Sequence, residues 1–516
     1  MKRFYPLAFF ACIITSYSQT PAIQWQKCLG GTDEDDAYSI KQTHDKGFIV
    51  AGSSKSNDGD VSGNHSSGIV YEDFWVAKID SLGTIQWQKS LGGTSKEVAN
   101  SVCVSSNGDY VIAGYTESTD GDVTNYLGGV SDTWVVCLDS AGNLRWQKTL
   151  GGPGEDGAQE IQQTSDKGFV IASWSSSPHD TVTNHDFDYY IAKLDSAGTT
   201  HWEKYYGGSG DDTPYSICQT TDGKYIVSGY SESNDLDVTG HHGSIAARDC
   251  WIIKLDSAGN LQWEKSFGGT NEEAASCIRE TIDGDYIFTG WSSSTGGDVS
   301  GNHGSFDIWT VRIDTAANII WQQCYGGSNV EQAYGLVQTP DKGFAISGVA
   351  YSTNGQVTGN HGGPNDYWLV KTDSAGNLTW EMCMGGSNWE ASSSLCTVTG
   401  GGYALTGITA SSNGDVSGFH GGNYDYWVVK LKDSFTTGVN ESAAAQKITL
   451  YPNPANDKLF ISSGGRIGII KIYNSLGELV LSTQCEHEKE SIDVSKLANG
   501  AYILRFEEYF AKFLKN

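Results

Sequence analysis

Ile85-Gln86-Trp87-Gln88-Lys89-Ser90-Leu91-Gly92-Gly93 is one of seven versions of the same phrase in this chain of 516 residues. The tryptophan returns at Trp25, Trp87, Trp146, Trp202, Trp263, Trp321 and Trp380, at spacings of 62, 59, 56, 61, 58 and 59 residues, and a Gly-Gly pair follows every copy. The phrase reads as a short strand running into a turn. Self-similarity at this period means stacked supersecondary units. Function is then expected either in loops presented many times over or in the copies that break the pattern.

Working outward from one copy, residues 36–91 hold four strand-like segments. Tyr38-Ser39-Ile40-Lys41-Gln42-Thr43 leads into the turn His44-Asp45-Lys46-Gly47, whose glycine is free to take a positive φ. Phe48-Ile49-Val50-Ala51-Gly52 is nearly all apolar and is expected to be buried on both faces. A long loop, residues 53–72, precedes Phe74-Trp75-Val76-Ala77-Lys78-Ile79, and the turn Asp80-Ser81-Leu82-Gly83 returns the chain to the phrase. Strands separated by turn clusters, with no helical period, predict an all-β architecture. Four antiparallel strands per unit is the blade of a β-propeller.

Each class of strand recurs seven times. The third strands carry Trp75, Trp134, Tyr190, Trp251, Trp309, Trp368 and Trp427. The phrase-bearing class is shifted: the copy at Trp25 precedes any first strand, and the last unit stops after its third strand. The expected fold is therefore a seven-bladed β-propeller over residues 22–432, with one-plus-three strand closure. The N-terminal strand would lie on the outside of the last blade and cover an edge that otherwise invites aggregation.

The two ends depart from the repeat. Lys2 and Arg3, the apolar stretch at residues 7–14 and the small residues of Ser16-Tyr17-Ser18 read as a signal peptide over residues 1–19. That stretch is too short to span a membrane and no later one is long and apolar enough, so no transmembrane segment is expected. A polar linker at residues 433–446 leads to residues 447–516, whose alternating strands suggest a small C-terminal β-sandwich. This segment contains Pro452-Asn453-Pro454, then Tyr473-Asn474 with Gly477 and Val480, then Leu497, Gly500 and Tyr502, and a basic end with Lys512 and Lys515. Together these pieces resemble the type A C-terminal sorting domain of the type IX secretion system of Bacteroidetes-like bacteria. The resemblance implies the secretion machinery as a partner, export across the outer membrane, and removal of the tail with release or surface attachment. Residues 22–432 resemble the tandem tryptophan-rich propeller repeats of exported Bacteroidetes-type proteins.

Composition narrows the partners. The 61 acidic against 33 basic residues give a net charge of −28, which repels nucleic acid and anionic lipid. The 11 cysteines show no CxxC pair and no zinc spacing. Cys103, Cys218 and Cys396 share one first-strand position and read as small buried apolar slots.

Three sets of polar residues are candidates for chemistry. The first is a ring of acids five residues after each first Gly of the Gly-Gly pair: Asp35, Glu97, Asp156, Asp212, Glu273, Glu331 and Glu390. They are expected near the channel mouth. Sevenfold identity favours a structural role, each accepting backbone N–H bonds. The second is the Asp two residues before each third-strand aromatic, from Asp73 to Asp425, read as a loop-closing turn residue. The third is the long loop, Gly59-Asp60-Val61-Ser62-Gly63-Asn64-His65 in the first unit. Its Asp, Asn and Gly make calcium conceivable as a cofactor, yet no copy has the full calcium-loop motif. The aligned histidines 65, 242, 303, 361 and 420 would sit too far apart to share one ion, so no metal site is expected.

The long loops and the Gly-Gly links leave the sheets on one face, where functional residues are expected. On that face the third unit is the outlier. It has Trp174 before the loop, replaces Gly-Asp-Val with His179-Asp180-Thr181-Val182, and runs from His185 and Asp186 into Tyr189. Aromatics beside carboxylates suit stacking on sugar rings. The candidate binding residues are therefore Trp174, His179, Asp180, His185, Asp186 and Tyr189. No nucleophile elbow, HExxH, Walker loop or dinucleotide fingerprint is present. The expected function is a secreted or cell-surface binding module for a polysaccharide or a surface protein. The competing expectation is a polysaccharide hydrolase or lyase using loop carboxylates.

Overall fold

Segments rich in β-branched and aromatic residues, each ended by a turn bearing Gly or Asp, fold as strands throughout. The computed structural model describes residues 20–65, 71–178, 186–244, 247–432, 449–462, 468–474, 479–485, 487, 489–506 and 509–515. The expected signal peptide and linker lie outside these. Among the described residues there is no helix, so none is long and apolar enough to cross a membrane.

Residues 22–432 build seven four-stranded antiparallel sheets, a repeat β-propeller-like fold. Six sheets are made of four consecutive strands, as in Asp35–Gln42, Phe48–Ser54, Asp73–Ile79 and Ile85–Leu91. The remaining sheet joins the N-terminal strand Ala22–Leu29 to Asp425–Lys432, with Trp25 opposite Lys430 and Cys28 opposite Trp427. Second and third strands such as Phe48–Ser54 and Asp73–Ile79 are buried along their whole length. A strand flanked on both sides and covered on both faces has no solvent side.

The repeated phrase has a packing reason. In six sheets the third-strand position is a buried Trp, and its indole N–H donates to the Gln or Glu that follows the phrase tryptophan. Trp75 Nε1 reaches Gln88 Oε1 at 2.9 Å, and Trp309 Nε1 reaches Gln322 Oε1 at 2.7 Å. In the mixed sheet Trp427 Nε1 reaches Gln26 Oε1 at 2.7 Å, across 401 residues of sequence. The phrase tryptophan itself is half-buried on the outermost strand and reaches the next sheet. Trp87 donates to Ser140 O at 3.1 Å, and a Cβ on Gly142 would lie 3.1 Å from the Trp87 ring. That turn therefore needs a glycine twice over, for its φ of +81° and for the ring above it.

The innermost strands share a different device. In all seven the register with the second strand slips by one residue after the third position, as between Ala37 and Ser39. A β-bulge of this kind re-aims side chains, and the innermost strand, being an edge strand, leaves a backbone N–H two residues further on without a ladder partner. A hydroxyl from the neighbouring sheet accepts that N–H in several places: Val102 N donates to Ser39 Oγ at 3.2 Å, Ile161 N to Ser101 Oγ at 3.2 Å, and Ile40 N to Ser394 Oγ at 3.3 Å.

The C-terminal unit has its own core. A three-stranded sheet (Thr449–Tyr451, Lys458–Ser462, Lys489–Asp493) and a four-stranded sheet (Leu479–Gln484, Ile469–Tyr473, Gly500–Phe506, Tyr509–Lys515) enclose Leu459, Ile461, Ile470, Ile472, Leu504 and Phe513. The Pro-Asn-Pro start is tied to the end of the chain, because Leu514 N donates to Asn453 Oδ1 at 2.9 Å and Ala455 N to Leu514 O at 2.7 Å.

Candidate functional site: a cavity among the innermost strands

The seven bulged strands surround a cavity of about 490 Å³ that is lined by residues from every one of the seven sheets. The lining comes mainly from three strand positions. The bulge residue supplies Tyr38, Asn100, Gln159, Tyr215, Ser276, Tyr334 and Ser393. The next residue supplies hydroxyls such as Ser39 and Ser101. Two residues deeper, Lys41 and Arg279 contribute.

Two features dominate this lining, the first a departure from the repeat. Glu160 stands where Ser39, Ser101, Ser216 and Ser394 stand in other sheets. Its Oε2 accepts the corresponding Ile217 N–H at 2.9 Å, as a serine does elsewhere, and the Ser216 hydroxyl at 2.6 Å. Its Oε1 takes an ion pair from Arg279 Nη2 at 2.8 Å, two sheets away. Burial alone would raise the Glu160 pKa. The charges of Arg279 and Lys41 and the Ser216 hydroxyl outweigh it and hold the group below the usual glutamate range. Glu160 is thus a fixed carboxylate rather than a proton donor.

The second feature is aromatic. Tyr230, Tyr215, Trp291 and Tyr334 form a continuous chain, with ring centroids 5.7, 6.1 and 5.9 Å apart. Tyr215, Trp291 and Tyr334 line the cavity. Trp291 comes from the second strand, at a position that is also aromatic in three other sheets (Tyr115, Trp174 and Tyr230) and is Ser53, Val349 and Ile408 in the rest. Tyr334 keeps 36% of its surface exposed.

The acidic ring lies elsewhere than expected. Asp35, Glu97, Asp156, Asp212, Glu273, Glu331 and Glu390 are all fully buried at the start of the innermost strands instead of facing the channel mouth. Each accepts the N–H of the second glycine in its Gly-Gly pair: Gly31 to Asp35 at 2.8 Å, Gly93 to Glu97 at 3.0 Å, Gly269 to Glu273 at 2.7 Å. Hydroxyls of the same sheet complete the site, as with Thr116 Oγ1 on Glu97 at 2.7 Å. Neighbouring third-strand acids crowd them. A Cβ on Gly92 would lie 2.3 Å from Glu97 Oε2 and 3.1 Å from Asp73 Oδ1, and Asp73 Oδ1 is buried without a hydrogen-bond partner. Burial raises Asp35 to about 6 and Glu97 to about 7.

The histidines bridge sheets. His65 Nδ1 lies 2.6 Å from Asp73 Oδ2, and its Nε2 lies 3.6 Å from Asp122 in the next loop. His361 repeats this with Asp366 at 2.6 Å and Asp415 at 3.4 Å. Among the described residues no three His, Cys, Asp or Glu side chains cluster to hold a metal ion. The ten described cysteines are buried and unpaired.

Of the residues expected to bind in the third unit, His179, Asp180 and His185 lie outside the described residues. Asp186 is exposed. Trp174 is half-buried against Tyr115, with centroids 5.8 Å apart. Tyr189 is a correction: it is fully buried, packs on Trp251 at 4.6 Å and donates to Trp251 O at 3.0 Å, so it belongs to the core between sheets. Sequence reasoning passed over Lys41, Glu160, Tyr215, Arg279, Trp291 and Tyr334. Aligning the seven innermost strands would have shown Lys41, Glu160 and Arg279 as charged departures from their registers, whereas Tyr215, Trp291 and Tyr334 stand at positions that carry aromatics in other sheets too.

Residues 449–515 match the family described as Secretion system C-terminal sorting domain. The chain therefore carries a type IX sorting domain, the mark of a protein that is exported and then secreted or attached to the cell surface. The protein named Regulatory protein FlaEY from Caulobacter vibrioides is 20% identical over 539 residues, covering 93% of this chain and 54% of that protein. The chain thus spans about half the length of that curated relative. Among solved structures, Sqt1 from Chaetomium thermophilum is 11% identical with a TM-score of 0.42, covering 80% of this chain and 100% of that one. PorZ, described as an essential bacterial surface component of the type-IX secretion system of Porphyromonas gingivalis, is 11% identical with a TM-score of 0.25, covering 96% of this chain and 75% of that one.

Proposed function

We propose that residues 22–432 form one closed seven-bladed propeller that works as a secreted or cell-surface binding module. The signal peptide at 1–19 and the tail at 447–516 then serve export. Closure is supported by the pairing of Ala22–Leu29 with Asp425–Lys432, by Asp35 N donating to Tyr424 O at 2.9 Å, and by Ile40 N on Ser394. Binding rests on one observation. The cavity among the innermost strands is where repeat symmetry is broken, and it combines an aromatic chain with hydroxyls and fixed charges. A polysaccharide end is the ligand favoured over a surface protein, because aromatic faces beside hydrogen-bonding groups suit a sugar ring. A hydrolase would need an accessible acid pair, and a lyase a free base beside the sugar. The ring acids are buried, and Glu160 is held ionised by Arg279.

A glycan array with the secreted protein, read for both retention and product release, tests this reading. Retention that weakens at least tenfold in Trp291→Ala, without product, is expected. Turnover of a glycan, or retention indifferent to Trp291, overturns it. Deleting residues 447–516 in the native host is expected to stop the protein appearing outside the cell.

A further inference from the structure

The charge inside the cavity has the opposite sign to the charge of the protein. The chain as a whole carries −28. The charged residues lining the cavity are Lys41, Glu160 and Arg279. Arg279 and Glu160 neutralise each other at 2.8 Å. Lys41 remains, half-buried, with no hydrogen bond or ion pair to any described residue. The registers around it are uncharged in most sheets: the position of Lys41 is Cys103, Gln162, Cys218, Val337 and Cys396 elsewhere. A cation without a hydrogen-bond or ion-pair partner among the described residues, in a cavity whose one lining carboxylate is already paired with Arg279, leaves a net positive charge for whatever enters.

The depth of that charge limits the ligand. Lys41 lies three residues beyond Tyr38 on the same strand, about 10 Å deeper at the strand rise per residue. Tyr215, Trp291 and Tyr334 line the cavity near the bulge level, on sheets remote in sequence from that of Lys41. The anions nearest Tyr38 do not cancel the lysine. Glu34 and Glu72 are held by Lys55 and Lys96 at 2.7 and 3.0 Å, and burial pushes the Asp36 carboxyl up to about 7.

We propose that the cavity takes the end of an acidic saccharide, with a sugar ring on the Tyr215–Trp291–Tyr334 chain and the carboxylate of a uronate on Lys41. This rests on the cavity being the ligand site, as read above. A uronate disaccharide combines a stackable ring with an anion one ring away, and a cavity of about 490 Å³ falls within the usual range for small ligands.

The test is calorimetric titration of the secreted protein with diglucuronate and digalacturonate, each beside its methyl ester. The same titrations are run on Lys41→Met, Lys41→Arg and Trp291→Ala, with melting curves to show that each variant is folded. At least one free acid should bind about tenfold more tightly than its ester. Lys41→Met should erase that preference, Lys41→Arg should keep most of it, and Trp291→Ala should weaken acid and ester alike. Equal affinity for acid and ester, with Trp291→Ala weakening both, overturns the carboxylate assignment and leaves the binding module standing. A preference for acid that survives Lys41→Met also overturns it. If no uronate binds but a peptide with a free C-terminal carboxylate binds more tightly than its amide, the ligand is a protein end and the proposal fails. Should Lys41→Met not fold, the acid-to-ester ratio of the unaltered protein and of Lys41→Arg still decides.

Discussion

The outer and inner strands of the same repeat solve different problems. On the outside, six third-strand tryptophans donate to a Gln or Glu of the neighbouring strand with the same geometry, whichever sheet they belong to. On the inside, the register that carries Ser39, Ser101, Ser216 and Ser394 carries Glu160, Cys277 and Gly335 in the other sheets. A position that recurs in every sheet answers to its packing neighbours. A position that departs is released from them and can answer to what enters the cavity. The fold is therefore written in the repetition and the candidate site in its exceptions.

The largest effect that can break this comparison is on stability. Trp309→Ala removes a fully buried indole that packs on Phe288 and donates to Gln322, and should cost ~3–5 kcal/mol. Trp291→Ala, half-exposed at the cavity, should cost ~1 kcal/mol while abolishing most binding. Denaturant titration of the two variants decides. Equal costs would mean that the cavity wall is as structural as the outer strands.

The Glu160–Arg279 pair gives a sharper version. Glu160→Gln leaves a part-buried guanidinium without its counter-charge and should cost ~2 kcal/mol. The double variant Glu160→Ser with Arg279→Val installs residues that the repeat already uses at these registers. It should be more stable than the summed effects of Glu160→Ser and Arg279→Val alone, with a coupling of ~1–2 kcal/mol in that cycle. A double variant as unstable as the sum of its parts would show that the two charges do not act on each other and that each is held by its sheet independently.

What could be read from the sequence divides along the same line. Trp25 to Trp380 and the Gly-Gly pairs announce the repeat because they serve contacts present in nearly every copy. The strand at Ala22–Leu29 could be assigned to the last sheet by counting, since only that pairing gives each sheet four strands. The cavity was hidden because its charged residues are single exceptions, its aromatics fill variable registers, and the bulge that re-aims them leaves no periodic mark. Tyr189 misled for a related reason. It follows the long loop as an exposed residue would, yet the pleat turns it toward Trp251. The acid ring was located by sequence but misplaced in depth, because seven identical spacings say nothing about which side of the strand start a carboxylate faces.

A third prediction concerns that ring and the third-strand acids beside it. Burial raises Asp35, Asp132 and Asp425 to about 6 and Glu97 and Asp212 to about 7. Hydrogen bonds only partly offset this. A carboxyl whose folded pKa lies above its unfolded value binds more protons in the folded state, so its contribution is present at low pH and is lost as pH rises through the folded pKa. Stability should therefore fall between about pH 4 and pH 7, from the ordinary carboxylate range up to the raised values, which is above the range where Asp45, Asp166 and Asp222, held down to about 2, lose their ion pairs. Glu97→Gln with Asp212→Asn should flatten the decline. Thermal midpoints across this window that stay level, or rise, in the unaltered protein would remove the buried ring as a proton store.

The smallest effect tests the outer rule at its one visible lapse. Turns following the third strand place a positive-φ glycine beneath the tryptophan of the preceding sheet, as Gly142 lies under Trp87 and Gly376 under Trp321. In the fifth sheet that place is taken by Ala317, with φ +62°. It is buried, and its carbonyl accepts Lys265 Nζ at 2.8 Å. A Cβ in the left-handed region costs ~1–2 kcal/mol, part of which is offset by the entropy that a glycine would lose. Ala317→Gly should therefore stabilise by ~0.5–1 kcal/mol, whereas Gly142→Ala, which adds a Cβ 3.1 Å from the Trp87 ring, should destabilise by ~1–2 kcal/mol. Opposite signs at equivalent positions would show that the outer strands obey one geometric rule with local lapses. If both substitutions destabilise, the fifth sheet has repacked around its alanine, and even the outer strands have begun to diverge sheet by sheet as the inner ones have.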